Sequence, residues 1–135
     1  MTSPTPQDHP VLARLTSAIS QIAFWGGLIV TTYMALTPLQ HAAGASISAK
    51  SQHLVAFAYL TITMWCAYRL RVPPQRMAII LLGYGLGIEL VQLTMPYRYF
   101  ELIDLAADAT GIALGASCIM LATRVTPGAS LYPTR

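Results

Sequence analysis

Eight residues in this chain have types and spacings that support chemistry: Lys50 and His53, Glu89 and Gln92, then Arg98, Glu101, Asp104 and Asp108. The chain has only 5 acidic residues, and all but one lie between Glu89 and Asp108, where one apolar segment gives way to another. Ionisable groups at membrane depth are costly and mark sites that face a bundle interior or a water-filled cavity. The guanidinium of Arg98, with the ammonium of Lys50, suits phosphate oxygens, which guanidinium matches bidentately. His53 is the candidate general acid or base, because imidazole titrates near neutrality. Glu89 and Asp104 would orient it, activate it or receive its proton, and Gln92 would hold a polar head group or a water. A divalent cation held by Glu89, Asp104 and Asp108 also fits, since oxygen ligands suit hard cations. The residues alone fix neither a metal nor a cofactor. The expected catalytic set is His53, Glu89 and Asp104; the expected binding set is Lys50, Gln92, Arg98 and Asp108.

The composition says what must position these groups. The chain has 135 residues, 55% hydrophobic and 10% charged, with mean hydropathy +0.55. Soluble domains carry about 25% charged residues, so an all-α integral membrane protein is expected. The net charge is +3, and the basic residues form no stripe with interleaved aromatics, which argues against nucleic acid as a partner. Cys66 and Cys118 lie inside apolar runs without metal or redox spacing and read as small packing residues. The N-terminal MTSPTPQDHPVLARL lacks the order of a secretory signal, so the first apolar run is expected to be a retained anchor.

Four apolar segments stand out, at about Leu15 to Leu36, His53 to Tyr68, Met77 to Met95 and Asp104 to Thr123. The second reaches the usual span of about 17–25 residues only if Lys50 to Gln52 form its first turn. Pro38, Pro73 with Pro74, Pro96, and Pro127 with Gly128 punctuate them. The expected organisation is a tail over residues 1–14, a four-transmembrane-helix bundle over 15–123 and a tail over 124–135. Arg14, Arg69, Arg71, Arg76, Arg124 and Arg135 fall on one side of such a bundle, and only Lys50 and Arg98 on the other. The positive-inside rule then places both termini in the cytoplasm and the polar residues at the outer face. Trp65 and Tyr68 become inner-interface anchors, and Tyr97, Tyr99 and Phe100 outer ones.

At 100° per residue, Gly85, Glu89 and Gln92 share an arc of the third segment, while Lys50, His53 and Phe57 share a face of the second. Asp104, Asp108, Gly111 and Gly115 share a stripe of the fourth, and the two glycines, four apart, let helices approach closely in lipid. Plainer readings stand beside these. Asp104 could serve only as a helix cap, His53 as an interfacial histidine, Arg98 and Glu101 as an exposed ion pair, and Glu89 as an intrabundle hydrogen-bond partner.

The ordered set Lys50 and His53, Glu89 and Gln92, Arg98, Asp104, Asp108, Gly111 and Gly115 resembles the pattern of the VanZ-like membrane proteins. The resemblance covers roughly Lys50 to Gly115, with the first segment as a fourth helix. It departs at Ala49, where the family often has an aspartate, and at Asp108, where asparagine is common. The resemblance implies a multi-pass protein of the bacterial inner membrane, associated with the cell envelope and glycopeptide resistance. With the residues, it leads to the expectation of binding or chemistry on a phosphate-bearing lipid or polyprenyl head group, as a hydrolase or transferase, with membrane lipids as partners. The alternative is a noncatalytic accessory subunit of a larger membrane complex. The charge asymmetry generates a direct test. In a background without Cys66 and Cys118, Tyr97→Cys should react with a membrane-impermeant thiol reagent in intact cells and Gln75→Cys should not; labelling of the Gln75 position would reverse the topology.

Overall fold

The computed structural model describes residues 8–38, 48–97 and 101–125, with side chains of the first helix from Arg14 onward. It is all-helical, with α1 Asp8–Leu36, α2 Ala49–Tyr68, α3 Pro74–Gln92 and α4 Leu102–Val125. The apolar segments predict the four elements, and the differences are at their ends. α1 starts at Asp8 rather than Leu15 and takes in Pro10, since a first-turn N–H has no intrahelical partner and its loss is tolerated. α2 does include Lys50 to Gln52, and the Ser48 hydroxyl accepts the Ser51 N–H at 3.2 Å as its cap. α3 is displaced toward the N-terminus. Pro74 opens it with φ already set, and Pro96 disfavours helix at Met95. Glu89 therefore lies three residues from the end of α3, closer to the end of the bundle than the expected boundary implied.

α1 and α3 end where α2 and α4 begin. The Gln92 amide donates to the Ala35 carbonyl at 3.0 Å and the Tyr97 hydroxyl to the Leu36 carbonyl at 3.2 Å. Two carbonyls left over at the end of α1 are thereby satisfied. At the opposite end the Trp25 indole N–H donates to the Tyr68 hydroxyl at 3.0 Å, and the Arg69 guanidinium lies 4.8 Å over the Trp65 ring. The closest packing is between α2 and α4. A Cβ on Gly111 would strike the Leu54 carbonyl and lie 3.0 Å from Phe57 Cβ; one on Gly115 would lie 2.8 Å from the Ala58 carbonyl. Higher numbers on α4 meet higher numbers on α2, so the two helices are parallel and start at the same end. The core beneath is Phe24, Phe57, Leu60, Met64, Met77, Leu81 and Ile112.

Two helices are long and apolar enough to cross a membrane, over Arg14–Leu36 and Leu102–Val125, with only 6% and 22% of their most apolar stretches buried. A core helix of a water-soluble domain would bury most of such a surface. Here Ile19, Ile22, Ile29 and Leu121 are all exposed, a pattern that suits lipid. Cys66 and Cys118 are also exposed, so they belong to this outer surface and not to the packed interior expected for them.

The glycine contacts generate a prediction. Gly111→Ala and Gly115→Ala should each destabilise the protein by about 1–3 kcal/mol, the usual cost of overpacking, in reversible unfolding from detergent micelles. Gly83→Ala and Gly87→Ala, whose added Cβ would meet nothing within 4 Å, should not destabilise it.

Candidate functional site

The parallel start of α2 and α4 brings their first two turns together. His53 lies on the second turn of α2, and Asp104 and Asp108 on the first two turns of α4. His53 Nδ1 is 2.7 Å from Asp108 Oδ1. A carboxylate only accepts, so the imidazole donates from Nδ1. In the neutral ring this leaves the Nε2 lone pair free. Nε2 faces Asp104, whose Oδ2 is 3.9 Å away. The Phe57 ring stacks parallel to the imidazole at 6.3 Å between centroids and is wholly buried, which fixes the ring plane one helical turn along α2.

α3 closes the site from the third side. Glu89 is fully buried, and its Oε2 accepts the Glu101 backbone N–H at 3.1 Å. Glu101 immediately precedes α4, so this carboxylate caps α4 from another helix, where the dipole favours negative charge. Gly85, one turn back, leaves room for Asp108: a Cβ there would collide with the Asp108 carboxylate and press on the Phe57 ring. Asp108 is 0% and Asp104 7% exposed. Glu89 Oε1, Asp104 Oδ1 and Asp108 Oδ2 are buried without hydrogen-bond partners among the described residues. Ligand atoms from His53, Glu89 and Asp104 all lie within 4.8 Å of one another.

At the mouth, Lys50 Nζ meets Glu101 Oε2 at 3.3 Å with both side chains about half exposed. A groove of ≈ 620 Å³ runs between α1 and α2 from Ile22 and Tyr59 toward Ala35 and His53, walled by residues such as Gly26, Val30 and Val55. Its lining is mostly apolar, with Thr31 and Tyr59 along it and Ser51, Gln52 and His53 at one end.

The structure thus brings together His53, Glu89, Asp104 and Asp108, with Lys50 just outside. Two outcomes differ from the sequence reading. Asp108 holds the imidazole, so the cluster with cation-binding geometry contains His53 in place of the third carboxylate. Gln92 is buried, and its amide N–H is given to α1. Arg98, with Tyr99 and Phe100, lies outside the described residues. The groove, the Lys50–Glu101 pair and the trans cap by Glu89 are not legible in the spacing of residues. Only the groove left a local trace, in the adjacent Gly26 and Gly27, and nothing in the sequence specified which helix those glycines would face.

A family model described as VanZ/LLP1 matches residues 9–123. No curated protein and no solved structure matches the chain. The match takes in all four helices almost completely, and the chain belongs to the VanZ/LLP1 family.

The Nδ1 contact can be tested on the folded protein. In ¹⁵N-histidine spectra, with His53 assigned by its loss in His53→Gln, the wild-type ring should show Nδ1 protonated. Asp108→Ala should abolish that signature, and a wild-type ring protonated only at Nε2 would contradict the arrangement.

Proposed function

For this member of the VanZ/LLP1 family, we propose binding and turnover of a phosphate-bearing lipid or polyprenyl head group at the outer face of the bacterial inner membrane, in a four-span bundle with cytoplasmic termini. The observation that carries the reading is the apolar groove between α1 and α2 that ends beside His53. A lipid chain in that groove would bring its head group to the His53 imidazole, whose Nδ1 is held by a buried carboxylate. The groove, ≈ 620 Å³, is within the range of about 300–1,000 Å³ for small-molecule sites, and its apolar walls on α1 and α2 suit an acyl or prenyl chain.

The proposed step is hydrolysis or transfer at phosphorus. The attacking water or hydroxyl gives its proton to His53 Nε2 as its oxygen bonds to phosphorus. The bond from phosphorus to the leaving oxygen breaks, and the imidazolium returns the proton to that oxygen. Asp108 keeps the ring in the required tautomer, as a buried carboxylate does for a catalytic histidine. Lys50, from the mouth, and Arg98 neutralise the phosphate oxygens. The parallel N-termini of α2 and α4 add partial positive charge at the same end.

The test is head-group release from vesicles containing a phospholipid or a polyprenyl phosphate, with purified, expression-matched variants. Gly26 faces open space in the groove, so Gly26→Phe fills it without disturbing helix contacts. Gly26→Phe should reduce turnover at least tenfold, and His53→Gln at least 100-fold, within the usual contribution of general acid–base catalysis of about 10²–10⁴. Arg98→Lys should reduce it as well, because the charge remains but the planar fork is lost. Full turnover in both Gly26→Phe and His53→Gln would remove this reading, and co-purification of a defined membrane subunit would then favour the accessory role.

A further inference from the structure

We propose that His53 Nε2, Glu89 and Asp104 bind one divalent transition-metal cation, Zn²⁺ or Mn²⁺, with Asp108 holding the imidazole from behind. This rests on the head-group reading for the pocket and amends its step. A cation on Nε2 would occupy the lone pair assigned there to proton transfer, so in the loaded protein the imidazole would be a ligand and the water's proton would pass to the uncoordinated oxygen of Asp104. The geometric basis is separate from the groove. The three side chains come from α2, α3 and α4, and each offers a ligand atom within 4.8 Å of the other two. Ligand atoms around a tetrahedral Zn²⁺, at bond lengths of about 2.0–2.2 Å, are spaced roughly 3.3–3.6 Å apart. Closing this cluster on a cation draws the side chains together by up to about 1–1.5 Å, within reach of side-chain rotation.

The unpartnered oxygens are the independent observation. Glu89 Oε1 and Asp104 Oδ1 are buried without partners among the described residues, on side chains from residues 0% and 7% exposed. A buried carboxylate oxygen left unpaired loses its hydration without replacement. Bringing Glu89 and Asp104 this close adds like-charge repulsion. A cation held between the two carboxylates would relieve both costs. The remaining Glu89 oxygen already accepts the Glu101 N–H, which aims the carboxylate. The remaining nitrogen of His53 is already bound to Asp108. A metal-bound histidine with its other ring nitrogen on a carboxylate is the usual outer-shell arrangement for a metal site. Lys50 does not supply the missing counter-charge, because it is half exposed and pairs with Glu101.

The donor set selects the cation. Ca²⁺ and Mg²⁺ favour oxygen ligands throughout. One imidazole nitrogen with two carboxylates suits Zn²⁺ or Mn²⁺ better. Three protein ligands leave coordination positions open, available to a water or a phosphate oxygen.

The experiment is calorimetric titration of the full chain in detergent micelles, stripped with chelator, against Zn²⁺, Mn²⁺, Mg²⁺ and Ca²⁺ in the absence of lipid substrate. One Zn²⁺ or Mn²⁺ should bind per chain, at least tenfold tighter than Mg²⁺ or Ca²⁺. Glu89→Gln and Asp104→Asn should each weaken binding at least tenfold. Asp108→Asn should weaken it by about 10–100-fold, the usual effect of an outer-shell partner. Gly83→Ala, whose added Cβ meets nothing within 4 Å, should bind as wild type. Because a variant could fail to fold, Mn²⁺-loaded wild type is also measured by electron–nuclear double resonance, where coupling to one imidazole ¹⁴N is expected. Absence of stoichiometric Zn²⁺ or Mn²⁺ binding, unaltered binding in both Glu89→Gln and Asp104→Asn, or absence of the ¹⁴N coupling would overturn the site. Cation binding without head-group turnover would uphold the site and refute only the lipid chemistry.

Discussion

The structure depends on the contact between α2 and α4 at Gly111 and Gly115. Each glycine lies where a Cβ would meet the backbone of α2, so the helices approach as closely as their main chains permit. This contact sets the register as well as the distance. Asp108 is three residues before Gly111 on the same stripe of α4, and His53 is one residue before Leu54, whose carbonyl lies against Gly111. Once the glycines seat, imidazole and carboxylate must meet. α3 is then located by a second absence of side chain, at Gly85, which leaves space for the Asp108 carboxylate. Three glycines on two helices therefore determine where four polar side chains converge.

The electrostatics of that convergence are unfavourable unless something relieves them. Two carboxylates about 5 Å apart repel by on the order of 3–4 kcal/mol at an effective dielectric constant near 20. Asp108 adds a third acid behind the imidazole. The fold relieves part of this by aligning α2 and α4 in parallel, so that two helix N-termini face the acids, and by giving Glu89 the Glu101 N–H. Three carboxylate oxygens still lack partners among the described residues. Natural proteins retain such costs where function requires them, since buried polar groups without partners are uncommon. The same concentration of acids that makes this end of the bundle expensive makes it suited to a cation, a phosphate with its cation, or a proton in transit.

Much of the fold was legible because it is written in residue types that have few alternatives. The proline breaks bounded the helices to within a few residues, apart from the start of α1, and the 3.6-residue period placed Glu89, Asp104 and Asp108 on inward stripes that are indeed buried. The glycine pair on the acidic stripe pointed to close packing, and the contact is there. What was not legible depends on which helix faces which. Periodicity gives the face of a helix and not its neighbour, so the pairing of Asp108 with His53, the gift of the Gln92 amide to Ala35, and the Lys50–Glu101 pair could not be read from spacing. The exposed cysteines show the same limit. An apolar segment that is inward-facing in a soluble domain can be outward-facing when its surroundings are apolar too, and composition does not separate the two.

If Glu89, Asp104 and Asp108 are held together for a ligand and not for the fold, removing one buried charge should leave the fold intact. The unfolding free energy of Glu89→Gln in chelator-treated protein tests it most directly. The amide keeps the shape and still accepts the Glu101 N–H through its carbonyl, while the buried charge is gone. The expected free energy is equal to or above that of wild type. A loss of more than about 1 kcal/mol, the typical size of a destabilising substitution, would show that the carboxylate supports the fold itself and is not held for a ligand.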